Sequence, residues 1–101
     1  MGKVSESEIV KLIRLAAQKR GWLFYDMRRA GVRGIPDVYM VTPQGPHWIE
    51  IKTKADRLRP AQDRFAAQHN FRSYSVFHEM DTVIETKESV KRFFEMWDYS
   101  I

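Results

Sequence analysis

Asp37, Glu50 and Lys52 stand in two short runs, DVYMV and HWIEIKTK, whose other residues are mostly those of buried or half-buried β-strands. The runs flank TPQGP, and two prolines and a glycine in so small a space predict a hairpin connection. With the turn centred near Pro43 and Gln44, Asp37 falls opposite Glu50, their Cβ atoms about 5 Å apart on one face. A slip of one or two positions puts Asp37 between Glu50 and Lys52 instead. Side chains alternate along a strand, so Glu50 and Lys52 share one face while Ile49 and Ile51 share the other.

Like charges opposed on a sheet repel, and a divalent cation would relieve that repulsion. Mg²⁺ takes hard oxygen ligands, typically one or two carboxylates, with water and a substrate phosphate completing the set. Held there, it would polarise a phosphoryl oxygen and activate a water for attack. Lys52, one pleat along, is placed to position that water or to stabilise charge developing on the phosphate. Taken singly, an Asp at a strand start and a Glu-x-Lys in a half-exposed strand make an ordinary solvated ion pair. Their company favours chemistry: Pro36-Asp37 entering a strand, a hairpin, and a basic rim.

That rim is local. Arg28, Arg29 and Arg33 crowd one side of the stretch and Lys52, Lys54, Arg57 and Arg59 the other, out of 17 basic residues in the chain. Phosphate contacts supply most of the affinity in non-specific DNA binding. Arg28, Arg29, Arg33, Lys54, Arg57 and Arg59 are therefore predicted to grip DNA backbone. No recognition-helix motif or zinc knuckle offers a route to base reading, so shape is the expected target. His47, His69 and His78 are scattered without ligand spacing and read as structural or surface residues.

The elements that must position these residues follow from periodicity and punctuation. Ser5 and Glu8 have capping-box spacing, and Ile9, Leu12, Ile13, Ala16 and Ala17 recur at helical intervals, which predicts a helix from about Glu6 to Arg20 ended by Gly21. WLFYDM, Trp22 to Met27, reads as a strand, and RRAGVRGIP as a loop. The hairpin strands are predicted over Asp37–Val41 and His47–Lys54. Pro60 suits the first helical position of a segment ending near Asn70. SYSVFH, Ser73 to His78, reads as a further strand, and a final helix is predicted with Thr86 as its cap. Val90, Phe93, Phe94 and Trp97 make a broad apolar stripe on that helix. Such a stripe predicts partial cover by a second copy of the chain, as a homodimer.

The order is helix, three strands, helix, strand, helix, an α/β pattern. Together with GIPD at Gly34–Asp37, EIK at Glu50–Lys52 and DRLRPAQ at Asp56–Gln62, it resembles the PD-(D/E)xK nuclease superfamily and, within it, the virus-type replication-repair nuclease family, VRR-Nuc. That resemblance implies a restriction-endonuclease-like αβββαβ core, a central mixed sheet flanked by helices, with an added C-terminal helix. It implies a Mg²⁺-dependent endonuclease, with Mn²⁺ as a substitute, hydrolysing DNA phosphodiesters. Asp37 and Glu50 would be metal ligands, Lys52 the catalytic lysine, and Gln62 a polar active-site residue on the second helix. The family also tends to place a Glu of the first helix at the metal. Glu6 shares a stripe with Ile9 and Ile13 and is favoured, with Glu8 as the alternative, better explained as the partner of Ser5. ESEI at Glu6–Ile9 further resembles archaeal Holliday-junction resolvases of the same superfamily, so branched DNA, a four-way junction in particular, is an expected substrate. The competing expectation is a nucleic-acid-binding domain that keeps the fold without catalysis.

Bulk properties agree. A chain of 101 residues allows one domain, 1–101, with one core. With 44% hydrophobic and 30% charged residues, a folded domain is expected. The net charge of +4 is a mild bias toward an acidic partner. The absence of cysteine excludes disulfides, thiolate metal sites and a cysteine nucleophile. No apolar run approaches the roughly 20 residues of a membrane span, and MGKVSESE lacks a signal-peptide core, so a cytoplasmic protein is expected; the short chain resembles the phage and bacterial members of the VRR-Nuc family, which implies a bacterial or phage protein.

Overall fold

Helix α1, Glu6–Lys19, begins where Ser5 leaves the helical conformation and its Oγ accepts a hydrogen bond from the Glu8 N–H at 3.2 Å. It ends on Arg20, with Gly21 at φ +75°. The Trp22 N–H donates to the Ala17 carbonyl and the Gly21 N–H to that of Gln18, both at 3.0 Å, which is the Schellman pattern. This turn delivers Trp22 back onto the core beside Ala17. In the computed structural model, residues 4–31, 34–52 and 73–98 are described.

Four strands follow: β1 Leu23–Asp26, β2 Val38–Thr42, β3 Gly45–Lys52 and β4 Tyr74–His78, in the spatial order β1-β2-β3-β4. The first three are antiparallel neighbours, and β4 runs parallel to β3. The sheet is thus mixed, as expected. The hairpin turns on Pro43 and Gln44, where Thr42 Oγ1 accepts from the Gln44 N–H at 3.1 Å and donates to the Gly45 carbonyl at 2.9 Å. Gly45 then takes φ +109°, a conformation that favours glycine. Val38 pairs with Ile49 and Met40 with His47, which is the register that the turn position predicted.

Helix α2, Val83–Asp98, closes the described chain. Its cap is Thr82 rather than the expected Thr86: Thr82 Oγ1 accepts from the Glu85 N–H at 3.1 Å. Thr86 is fully buried one turn in, its hydroxyl donating to the Thr82 carbonyl at 2.8 Å. The predicted helix from Pro60 to Asn70, and the predicted extension of β3 to Lys54, lie outside the described residues.

One apolar core joins α1, α2 and one sheet face. Ile9, Ile13, Val38, Met40, Ile49 and Phe94 are fully buried in it. Trp22 stacks on Phe94 with ring centroids 5.7 Å apart, and Trp97 meets Trp22 edge-on at 5.7 Å. His47 is buried on the same face, Nε2 and Ser75 Oγ lying 2.7 Å apart and its ring 5.0 Å from that of Trp97. The aromatic stripe of the last helix is therefore consumed within the chain: Val90, Phe94 and Trp97 are buried and Phe93 packs against them. The homodimer expectation loses the surface on which it was based. Arg20 pins the helix ends together, its guanidinium donating to both Asp98 carboxylate oxygens at 3.0 and 2.7 Å.

Candidate active site

Alternation in β3 sends His47, Ile49 and Ile51 into the core and Trp48, Glu50 and Lys52 to the opposite sheet face. Asp37 precedes β2, following the fully buried Pro36. Two hydrogen bonds fix it between its neighbours. Its carbonyl accepts from the Met27 N–H at 2.8 Å, and its carboxylate Oδ2 accepts from the Ile51 N–H at 2.9 Å. With Val38 opposite Ile49, Asp37 and Glu50 lie level, one step beyond the end of the hairpin ladder.

Glu50 is only 2% exposed. Burial, then its hydrogen bond to Asp37 and the charge there, push its pKa up to about 9, while Lys52 draws it back down. Glu6, half-buried in the first turn of α1, is raised in the same direction by burial and then by Asp37, with Arg28 opposing. Three carboxyls thus meet with Asp37 at their centre, and at neutral pH Glu50 holds a proton. Glu8 faces solvent and serves the helix cap, so the structure brings Glu6, not Glu8, to Asp37. Lys52 is 9% exposed and close enough for its charge to act on Glu50.

The donor chemistry fits a hard divalent cation. Among the described residues no group of three or more His, Asp or Glu side chains stands in ready metal-holding array. Mg²⁺ does not require one, since one or two carboxylates suffice beside water and substrate oxygens. The proton that Glu50 keeps beside Asp37 sits where a cation's charge would replace it.

Glu79 went unnoticed in the sequence. It follows β4, its N–H donates to the Lys52 carbonyl at 2.8 Å, and its charge raises the pKa of Glu6. Arg28, expected at the DNA backbone, has partners within the chain as well. Its Nε and Nη2 donate to the two Asp26 oxygens at 2.9 and 2.7 Å and its Nη1 to Ser7 Oγ at 3.1 Å, tying the end of β1 to the first turn of α1. That fork holds the Asp26 carboxyl below its usual range. Arg29 is exposed. Arg33, Lys54, Arg57, Arg59 and Gln62 lie outside the described residues.

No protein-family model and no curated protein matches this sequence. Among solved structures, one titled "VRR_NUC domain" superposes with a TM-score of 0.66 at 21% identity, over 91% of this chain and 96% of that one. The chain has the fold of a VRR_NUC domain. That is the fold to which GIPD, EIK and the element order pointed. Among the described residues no helix is long and apolar enough to cross a membrane.

Proposed function

We propose that the chain is a member of the VRR-Nuc family that acts as a Mg²⁺- or Mn²⁺-dependent, structure-selective DNA endonuclease. The observation that carries this reading is the buried Glu50, hydrogen-bonded to Asp37 and beside Lys52 at the open end of a hairpin. A pair of carboxyls held together at the cost of one charge is unfavourable for the sheet, and perturbed groups of this kind concentrate at functional sites.

Asp37 and Glu50, with Glu6 beside them, would hold the cation. When bound it supplies Lewis-acid polarisation of the scissile phosphate and a water acidic enough to attack. The chain's own residues do the rest. The Ile51 N–H aims one Asp37 oxygen, which leaves the other for ligation. Lys52 stabilises negative charge as the phosphorus becomes pentacoordinate and the leaving oxygen departs. Arg28 holds α1 against β1, so Glu6 stays in register with Asp37. Gln62 orients the attacking water from the segment after Pro60. Arg29, Arg33, Lys54, Arg57 and Arg59 would contact DNA phosphates.

The finer substrate proposal is branched DNA of the kind met in repair, including the four-way junction. Paired cuts in a junction need two copies of the site, and mass measurement of the complex on junction DNA tests that pairing. Cleavage of labelled junction, flap and duplex substrates, with and without Mg²⁺, tests the whole. Mg²⁺-dependent cutting that prefers a branched substrate is expected. Salt-sensitive binding with no cutting in any divalent metal would favour the non-catalytic alternative.

A further inference from the structure

Tyr25, Tyr39 and Trp48 form a row of rings across three strands. The register sets Tyr25 opposite Tyr39 and Tyr39 opposite Trp48. Their ring centroids are 6.0 and 4.6 Å apart, with planes tilted by 41° and 57°. The row lies on the sheet face of Glu50 and Lys52, away from the core. Trp48 stands two residues before Glu50, about 7 Å along the strand.

Cross-strand aromatic pairs support a sheet, which explains the contacts between the rings. It does not explain why the row ends in a tyrosine 49% exposed on an edge strand, beside Leu23 at 57%. The charge around it selects an occupant. The edge strand runs into the exposed Arg29, in a chain of net charge +4. An aromatic row ending at a basic segment and continuous with a carboxyl site suits a polyanion that carries flat apolar faces. A single nucleic-acid strand has both, because every base offers a π-face while its backbone offers phosphates.

We propose that Tyr25 and Tyr39, the outer part of the row, are a stacking platform for unpaired DNA bases, so that the substrate carries a single-stranded segment next to the phosphate to be cut. The location of the cut rests on the nuclease reading above; the stacking does not.

The test separates the two. Fluorescence anisotropy in EDTA, where no cleavage occurs, compares a short labelled oligo(dT) with a duplex of equal length for wild type, Tyr25→Ala and Tyr25→Phe. Loss of one stacked base at the lower end of its usual worth weakens oligo(dT) binding about fivefold or more in Tyr25→Ala. Duplex affinity and the slope of binding against salt stay unchanged, and Tyr25→Phe binds as wild type. Tyr25 is half-exposed and loses only its pairing with Tyr39, so a melting temperature lowered by no more than a few degrees in Tyr25→Ala, and unchanged in Tyr25→Phe, is the expected control. Equal binding of oligo(dT) by wild type and Tyr25→Ala would overturn the proposal, as would parallel losses on both substrates or no single-strand binding by wild type. A concentration-dependent dimer abolished by Tyr25→Ala, with oligo(dT) binding intact, would assign the row to a second copy and also overturn it. Absence of Mg²⁺-dependent cutting with the stacking result intact would refute the nuclease reading alone.

Discussion

Glu50→Gln is expected to stabilise the metal-free protein at neutral pH while abolishing its chemistry. In the folded state Glu50 has a pKa of about 9, against an ordinary 4.5. Between those values the native protein holds a proton that the unfolded chain has released, so stability falls as pH rises, by about 1.4 kcal/mol per pH unit. From pH 4.5 to pH 7 the loss reaches about 3 kcal/mol, a ceiling because Glu50 interacts closely with the neighbouring Asp37. Glutamine keeps the shape and an N–H to donate to Asp37, and it does not titrate. Glu50→Gln should therefore exceed wild type by up to about 3 kcal/mol at pH 7, on the order of 10 °C in melting temperature, with the difference vanishing toward pH 4.5. Urea unfolding followed by tryptophan fluorescence across that pH range measures it. Parallel pH profiles for the two proteins, or a Glu50→Gln protein less stable than wild type at pH 7, would refute the buried, protonated Glu50.

Further outcomes follow from the same geometry. Mg²⁺ must displace the Glu50 proton, so it should raise the wild-type melting temperature more at about pH 8 than at about pH 6, and should leave Asp37→Ala unmoved; equal shifts at both pH values would count against ligation by Glu50. Thr82→Ala should cost about 1 kcal/mol through the lost cap, measured by urea unfolding. Gly21→Ala meets nothing within 4 Å but retains φ +75°, so it too should cost about 1 kcal/mol by the same measurement, from backbone strain alone.

Much of this was legible in the residues because it is local. Ser5 with Glu8, Gly21 after the helix, and Pro43-Gln44 between two alternating runs each act within a few positions. The hairpin register that sets Asp37 level with Glu50 follows from the turn alone. Thr82 was missed because Val83 and Ile84, at 48% and 72% exposed, place apolar side chains in a first turn that faces water. Glu79 reaches the site only because β4 pairs in parallel with β3, Lys52 opposite His78, a contact between distant segments that no local pattern encodes. The aromatic stripe looked like an interface for the same reason: its partner Trp22 is returned to it by the Schellman turn, from the other end of the chain. The ion pair of Arg28 was not anticipated, because Asp26, two positions back, was read only as the end of a strand.

The central claim is that Asp37, Glu50 and Lys52 form a metal-dependent phosphodiesterase site. Single-turnover cleavage of a labelled branched DNA in Mg²⁺, by wild type beside Asp37→Asn and Lys52→Ala, tests it most directly. Cutting by wild type that EDTA abolishes, and losses of at least about a hundredfold in both variants with DNA binding retained, are predicted. Equal cutting by wild type and either variant would contradict the account.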